Sequence, residues 1–534
     1  MSVQSNMASE REGQFNLDGI LSELGSFGKY QLLLLFLLAF RDSFLSMCNY
    51  NYVFTASEVP FRCRISECES ELGHAVNFTT NASCRRPLSA LNETACEATF
   101  ETNNTVECKD VVYEHYNSIV AEFDLGCQPW KRTLIGTVHN LGLVFSFVFS
   151  GLISDRYGRK VIIVGTPLMV GAAGVLKSFA LDYWILIVLE FLETSLGYGN
   201  ASMVLSLESV SQKSRVAFSC ISDILASLGG ASFGLIAWKI PYWRHMMRAI
   251  YAPLLIVLFY IFLVDEGVRW LLAHHKNDEA VRVLNKVAKI NNITLSNKAK
   301  EMLTNITEER SKANQTGQPE TETPQIFSVL RSKAIVVRMA ITAACFFCCM
   351  FVNSGAIINS TSISGSKYLN YSVMMLVDVP TRIITALTLT RFGRKTPICV
   401  AYCLCAIFFM TSAFVPKSIC WVSVIFYMAG KMCSSYGIFS VHVVAMELFP
   451  TTSRNSLTNI ANTVGRLGSV LAPQAPLLEQ YMSGLTSLVF ALAALGTALL
   501  ALCLPETSRT ALPDRVSDAE RIDAPSDINS VSNA

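Results

Sequence analysis

Long apolar runs separated by short charged loops dominate this sequence. A helix needs about 20 apolar residues to cross the roughly 30 Å hydrocarbon core of a bilayer. Twelve runs reach that length, and they are numbered segments 1 to 12 in chain order: 31–54, 132–153, 161–180, 184–206, 216–238, 246–264, 335–358, 368–390, 396–415, 419–442, 456–478 and 484–504. The pattern predicts an all-α membrane protein with twelve transmembrane helices. Because polar residues 1–30 precede segment 1, we interpret that segment as a retained helix rather than a cleaved signal peptide.

Composition supports a membrane protein and argues against several other classes. Of 534 residues, 51% are apolar and only 16% are charged, with a formal net charge of +2, whereas an average soluble domain has about 25% charged residues. A chain so close to neutral has no basic field for nucleic acid. The sequence shows no catalytic triad, phosphate-binding loop or cluster of metal ligands, so we expect neither an enzyme nor a bound cofactor or metal.

Positive charges in short loops predict the orientation in the cell membrane. Loops rich in Lys and Arg resist translocation, and two such loops, 154–160 and 391–395, follow segments 2 and 8. An even number of helices then places both termini in the cytoplasm and loop 56–130 outside. The predicted regions are a cytoplasmic N-terminus (1–30), a first six-helix bundle (31–264), a cytoplasmic interbundle loop (265–334), a second six-helix bundle (335–504) and a cytoplasmic tail (505–534).

The long loop 56–130 has the features of an extracellular domain. Its six cysteines are an even number, which predicts three disulfides with 15 possible pairings: Cys63, Cys68, Cys84, Cys96, Cys108 and Cys127. Four sequons predict N-glycosylation, at Asn77, Asn81, Asn92 and Asn103. The alternative is that these sequons occur by chance. Two more sequons, at Asn292 and Asn305, fall in the loop predicted to be cytoplasmic, where they would not be glycosylated.

Charged residues recur at matched positions in the two halves of the chain. Each half carries Arg-Lys after its second segment, then Glu and Arg seven residues apart, then Glu and Arg three residues apart. The first set is Arg159, Lys160, Glu208, Arg215, Glu266 and Arg269, and the second is Arg394, Lys395, Glu447, Arg454, Glu506 and Arg509. Matched residues lie 235 to 240 positions apart, which predicts two six-helix halves related by an axis along the membrane normal.

We interpret these charges as a latch at the cytoplasmic helix ends. Acids and arginines there are expected to pair between and within the halves when the protein is closed to the cytosol, and to part when it opens. Exposed pairs contribute only ~0–1 kcal/mol each, so several together bias a two-state equilibrium without locking it. Asp155, Arg156, Gly158 and Asp378 are assigned to the same gating set. The alternative is that these charges only fix the topology.

Several motifs resemble those of one transporter family. "GLISDRYGRK" (151–160) is similar to the loop signature of the major facilitator superfamily, and "LTLTRFGRK" (387–395) lacks only the acid. The resemblance narrows to the organic cation, anion and zwitterion transporters, solute carrier family 22, through "LDGILSELGSFGKYQ" (17–31), "DEGVRWLL" (265–272), "MELFPTTSRN" (446–455) and "LPETSRTALPD" (504–514). It implies the major facilitator fold, alternating access around a central cavity, secondary-active or facilitative transport of a small organic ion, and a monomer able to function.

Arg466 is a positive charge inside segment 11 with no acid within one helical turn. A charge at the centre of a membrane helix costs ~2.5–3.5 kcal/mol, so such residues mark transport pathways by default. The resemblance implies Asp at this position in the cation carriers and Arg in the anion and carnitine-type carriers. It also puts Arg382 at a basic position of the anion carriers, and Lys431 adds a third positive charge. Both have structural alternatives, since Asp378 is four residues before Arg382 and Lys431 can brace a neighbouring helix.

The first half contributes three acids to the predicted substrate site, Glu190, Glu193 and Asp223. Three acids facing three bases across a cavity would suit a zwitterion, and a structural ion pair is the equal alternative. Asn353, where the cation carriers show an aromatic residue, and Tyr436 complete the set. The favoured function is therefore transport of an organic anion or zwitterion such as a carnitine-like amine. Organic cation transport is second, and a non-transporting, carrier-like receptor is third.

Overall fold

A computed structural model describes residues 17–25, 27–64, 84–87, 105–108, 110–199, 201–211, 214–297, 332–363, 365–415, 419–449, 454–482 and 484–507. Most of these residues are helical. In the first half the helices are Lys29–Asn49 and Asn51–Thr55 (segment 1), Pro129–Tyr157 (segment 2), Arg159–Lys177 (segment 3), Tyr183–Gly197 and Ala201–Glu208 (segment 4), Arg215–Lys239 (segment 5), and Trp243–Tyr251, the 3₁₀ helix Ala252–Phe259 and Tyr260–Leu263 (segment 6).

The second half repeats this arrangement. Its helices are Lys333–Ile358 and the 3₁₀ turn Asn359–Thr361 (segment 7), Lys367–Leu376 and Asp378–Phe392 (segment 8), Lys395–Phe414 (segment 9), Cys420–Leu448 (segment 10), Arg454–Leu471 and the 3₁₀ helix Ala472–Gln480 (segment 11), and Leu485–Leu502 (segment 12). Proline accounts for two of the 3₁₀ stretches, because Pro253 and Pro476 lack the backbone N–H that an α-helix needs.

Nine helices of the described residues are long and apolar enough to cross a membrane, and they correspond to segments 1 to 3, 5 to 9 and 12. Segment 4 is divided into helices of 15 and 8 residues, each shorter than a bilayer requires. Segments 10 and 11, which contain Lys431 and Arg466 respectively, are the other two segments outside this set of nine.

The two halves each have a hydrophobic core, and they meet at one end of the molecule. We call this the loop end, because it carries loop 56–130; the opposite motif end carries loops 154–160 and 391–395. Gln474 of segment 11 bonds to Thr133 (3.0 Å) and Thr137 (2.8 Å) of segment 2, and Ser372 of segment 8 donates to the carbonyl of Ala231 in segment 5 (2.8 Å). The bundles therefore touch through segments 2 and 11 and through segments 5 and 8.

The loop between segments 1 and 2 contains two short antiparallel sheets. Strand β1 (Phe61–Cys63) pairs with β4 (Val111–Tyr113), and β2 (Arg85–Pro87) pairs with β3 (Thr105–Glu107). Disulfides join Cys63 to Cys108 and Cys84 to Cys127. These are two of the three disulfides predicted. The remaining members of the predicted sets lie outside the described residues: Cys68, Cys96, Asn77, Asn81, Asn92 and Asn103.

Two helices after segment 6, Val268–Ala273 and Asn277–Asn291, pack against the N-terminal helix Leu17–Glu23 and the start of segment 1. Asn291 ties the three parts together, because it accepts from the backbone N–H of Tyr30 and donates to the Leu24 carbonyl, both at 2.9 Å. Helix Asn277–Asn291 is amphipathic, and its apolar face is buried.

Candidate gating and substrate sites

Glu266 holds the start of segment 3 at the motif end. Its carboxylate accepts hydrogen bonds from the backbone N–H groups of Arg159 (2.7 Å) and Lys160 (3.1 Å), which are the donors that a helix N-terminus leaves unpaired. The Arg159 side chain lies 3.6 Å from Glu208 and 3.2 Å from Asp155. Gly158 has φ +104°, and a Cβ there would be 2.2 Å from a Glu266 oxygen, so only glycine fits this turn.

The second half makes the same contacts with the matched residues. Glu506 accepts from the backbone N–H groups of Arg394 (2.9 Å) and Lys395 (3.0 Å) at the start of segment 9. Arg394 pairs with Glu447 at 2.9 Å, as Arg159 lies beside Glu208. The repeat read from the sequence therefore corresponds to a repeated structural unit, in which one acid caps a helix and an arginine reaches a second acid.

The remaining gating residues differ in their surroundings. Arg215 and Arg269 both bind Asp18 of the N-terminal helix, at 3.0 and 2.7 Å, a partner that the sequence did not suggest. Asp155 is 80% exposed, and Arg156 lies over the ring of Tyr157. Each of these ion pairs lies within one half of the chain. The side chain of Arg454 and all of Arg509 lie outside the described residues.

Arg466 lies where the two bundles face each other. Its guanidinium carbon is 3.4 Å from the ring centroid of Phe147, which belongs to segment 2 of the first bundle. Tyr50 of segment 1 and His442 of segment 10 are close enough to interact with it electrostatically. Within the part of the chain that the structure describes, no carboxylate lies at ion-pair distance from Arg466.

Arg382 pairs across the bundle interface rather than along its own helix. It binds Asp223 of segment 5, and the two side chains are 26% and 30% exposed. Asp378 instead accepts from Lys431 of segment 10 at 2.8 Å, so the intrahelical pair considered from the sequence does not form. Lys431 is fully buried and braces segment 8 against segment 10, as its structural alternative expected.

Asn353 and Tyr436 lie in different surroundings. Asn353 accepts a hydrogen bond from Ser435 at 3.0 Å, beside the pair formed by half-buried Asp378 and buried Lys431. Tyr436 bonds to Thr388 at 2.8 Å and lines an apolar cavity of about 430 Å³ between segments 8, 9 and 10. The Tyr436 hydroxyl therefore faces segment 8, on a different side from Asn353.

Glu190 and Glu193 lie inside the first bundle. Both are buried, and both bind Lys177 of segment 3, Glu190 at 2.6 Å. This geometry matches the structural ion pair that was the alternative to a zwitterion site. Lys177 was not singled out from the sequence, because it lies near the end of segment 3, where a lysine is also expected at a membrane interface. His139 of segment 2 lies 2.6 Å from Glu190 and was also missed.

A second cavity, of about 670 Å³, opens at the loop end between the bundles. Its wall includes Tyr52 and Thr133 from the first bundle and Asn359, Tyr427 and Pro473 from the second. Two pseudo-symmetric helical halves, paired charges at the helix ends and charged residues at the interface are the features of a membrane transporter.

Comparison with known proteins identifies the family. The profile of the family described as "Sugar (and other) transporter" matches residues 90–514, and the chain belongs to this family of membrane transporters. Its fold is that of the major facilitator superfamily. The xylose transporter XylE of E. coli, in a partially occluded inward-open conformation, superimposes with a TM-score of 0.56 at 13% identity, covering 89% of this chain and 99% of that one.

Two relatives that match nearly the whole chain have names from the organic ion transporters. An "Organic cation transporter protein" of Drosophila melanogaster is 27% identical over 527 residues, which cover 94% of each chain. "Solute carrier family 22 member 1" of Bos taurus is 27% identical over 536 residues, covering 95% of this chain and 93% of that protein. The resemblance drawn from the loop motifs is thereby confirmed.

Proposed function

We propose that this chain is a twelve-helix carrier of the cell membrane that moves small organic anions or zwitterions by alternating access, with Arg466 binding the anionic group. Segments 4, 10 and 11 pack within their bundles like the nine helices that are long and apolar enough to cross a membrane, which supports twelve spans. The glycosylated and disulfide-bonded loop 56–130 is extracellular, and both termini are cytoplasmic.

The unpaired charge on Arg466 carries the proposal. Two acids that face the bundle interface each have a cationic partner: Asp223 binds Arg382, and Asp378 binds Lys431. Arg466 lies over the ring of Phe147, close to Tyr50 and His442, and has no carboxylate at ion-pair distance among the described residues. An ionised guanidinium without a counterion is costly within a membrane, and a bound carboxylate supplies a bidentate partner. Substrate binding thus removes a cost that the empty protein bears.

The Asp223–Arg382 pair extends the site to zwitterions. Both side chains are partly exposed and come from opposite bundles, so a substrate ammonium can compete for Asp223 while its carboxylate binds Arg466. Glu190 and Glu193 are too deeply buried to meet the substrate directly. A zwitterion would therefore contact one acid of the first half rather than three.

Organic cation transport is the second candidate. Two of the relatives compared above are an organic cation transporter and a member of solute carrier family 22, which favours this alternative. Aromatic rings at the interface, such as Tyr50 and Tyr371, 6.4 Å apart, offer cation–π contacts. A permanent positive charge would nevertheless have to bind beside the unpaired guanidinium of Arg466.

Uptake by expressing cells tests the proposal with three labelled probes: a monocarboxylate, the zwitterion carnitine and a quaternary ammonium compound. We expect Arg466→Ala to lower the apparent affinity for the first two by about thirtyfold or more, because unpairing a buried charge costs ~2–5 kcal/mol. Arg466→Lys should be intermediate, and the exposed Arg282→Ala serves as the control. Unchanged affinity in surface-expressed Arg466→Ala, or a quaternary ammonium as the best wild-type substrate, would overturn the assignment.

A further inference from the structure

The first bundle contains a buried cluster of acids and bases that the proposed substrate site does not use. We call it the acid–base cluster: Lys177, Glu190, Glu193 and His139. Lys177 lies between the two carboxylates, and His139 Nδ1 is 2.6 Å from Glu190. All four side chains are at most 1% exposed. Three segments, 2, 3 and 4, therefore converge on one set of titratable groups.

The charges in the acid–base cluster do not balance without an added proton. Two carboxylates face one ammonium, so a neutral His139 would leave one net negative charge buried. The other titratable groups that face the cluster are Cys48 and Tyr52 of segment 1, Tyr198 after the first helix of segment 4, and Tyr251 of segment 6. Thiols and phenols are neutral at physiological pH, and an unbalanced buried charge is strongly unfavourable.

The second half of the chain has a comparable ion pair whose charges do balance. Asp378 lies 239 positions after His139, and Lys431 lies 241 positions after Glu190, so the Asp378–Lys431 pair joins segments 8 and 10, the counterparts of segments 2 and 4. One acid and one base balance there. The extra acid, Glu193, is what gives the first half a negative charge to neutralise.

Unpaired polar atoms point to an exchange route. Within the described residues, His139 Nε2, Asn51 Oδ1 and Tyr198 Oη are buried without a hydrogen-bond partner. The His139 ring packs 5.1 Å from the ring of Tyr52, and Tyr52 lines the 670 Å³ cavity at the loop end. His139 thus packs against a residue of the cavity wall, and its Nε2, which has no hydrogen-bond partner among the described residues, is available to a proton.

We propose that the acid–base cluster binds one exchangeable proton, received through His139 from the loop-end cavity, and that this proton is the coupling ion of transport. Water gives up the proton and the cluster gains it, with no other bond made or broken. A metal ion is a poorer fit, because Lys177 occupies the space between the carboxylates and no group of metal ligands is present among the described residues. The coupling, but not the proton binding, rests on the proposed transport function.

Thermal unfolding of the purified full-length protein at several pH values tests proton binding directly. In the wild type, loss of the proton leaves a buried negative charge. As the pH rises, the ratio of folded to unfolded protein should therefore fall by up to tenfold per pH unit. Glu193→Gln removes the need for the proton, so its melting temperature relative to wild type should rise with pH. Glu114→Gln is the matched control, because Glu114 and His115 form an exposed pair 3.6 Å apart. Identical pH profiles for wild type and Glu193→Gln would overturn the proposal.

Proteoliposomes test the coupling separately. With a probe that the uptake panel shows to be carried, an acidic exterior should drive accumulation by wild type. Glu193→Gln should lose this accumulation but retain exchange of labelled for unlabelled probe. Accumulation that persists in Glu193→Gln would refute the coupling. Absence of any transport by wild type would refute the proposed function, while the thermal titration would still decide whether the cluster binds a proton.

Discussion

The ion pair between Asp223 and Arg382 joins the two bundles, and breaking it distinguishes a substrate ligand from a structural strut. Asp223 lies on segment 5 and Arg382 on segment 8, and their side chains are 30% and 26% exposed. The informative set is Asp223→Asn, Arg382→Gln and the double variant. If the pair only connects the bundles, the double variant should behave like either single variant.

The expected size follows from the exposure of the pair. Fully exposed pairs couple by ~0.2–1 kcal/mol, and residues in direct contact by ~0.5–3 kcal/mol. Because solvent still screens about a quarter of each side chain, we expect a coupling of about 1–2 kcal/mol, or a factor of about 5 to 30 in the equilibrium between states. A pair of this strength can hold one conformation and still be opened by substrate.

The assay is uptake of carnitine and of a monocarboxylate at equal surface expression. If Asp223 binds the substrate ammonium, Asp223→Asn should weaken carnitine by about tenfold and leave the monocarboxylate, held by Arg466, nearly unchanged. The control is Asp265→Asn with Lys286→Gln, a pair at 2.7 Å that lies within one half. Equal loss of affinity for both probes would refute the role of Asp223 in substrate binding and would indicate that the pair only connects the two bundles.

Two further predictions concern the motif end and the loop end. Gly158→Ala should destabilise the protein by ~1–3 kcal/mol, because it places alanine at a positive φ and brings its Cβ against Glu266. The control is Gly151→Ala, whose new Cβ has no atom within 4 Å and which should not destabilise the protein. Equal melting temperatures for the two variants would contradict this prediction. Glycosidase treatment should shift the electrophoretic mobility of wild type, and a shift that persists after all four sequon asparagines are replaced by Gln would contradict the extracellular loop: Asn77, Asn81, Asn92 and Asn103.

The sequence predicted best those features that depend on local spacing. The repeat identified Glu266 and Glu506 as matched residues, because six positions recur with nearly constant offset, although their capping of helices far away in the chain appeared only in the structure. The isolated charge of Arg466 was also visible, since it needed only the absence of nearby acids on one helix. Both signals depend on patterns that a linear sequence contains.

Contacts between helices were harder to predict. Two acids, Asp223 and Asp378, are possible partners of Arg382. Its pairing with Asp223 depends on how segments 5 and 8 are rotated about their axes. Lys177 lies near the end of segment 3, where a lysine is easily explained as an interfacial anchor. Its burial against Glu190 and Glu193 follows from the packing of segments 3 and 4, which hydrophobic periodicity does not specify.

The two unbalanced sites together predict how transport responds to membrane voltage. Arg466 contributes one unpaired positive charge, and the acid–base cluster needs one proton. A monoanion that moves with one proton carries no net charge, whereas a zwitterion that moves with one proton carries one positive charge. An inside-negative potential, worth about 2.3 kcal/mol per charge at 100 mV, should therefore stimulate carnitine uptake into proteoliposomes and leave monocarboxylate uptake unchanged. Carnitine uptake that does not respond to the potential, together with monocarboxylate uptake that is slowed by it, would show that proton and substrate do not move together.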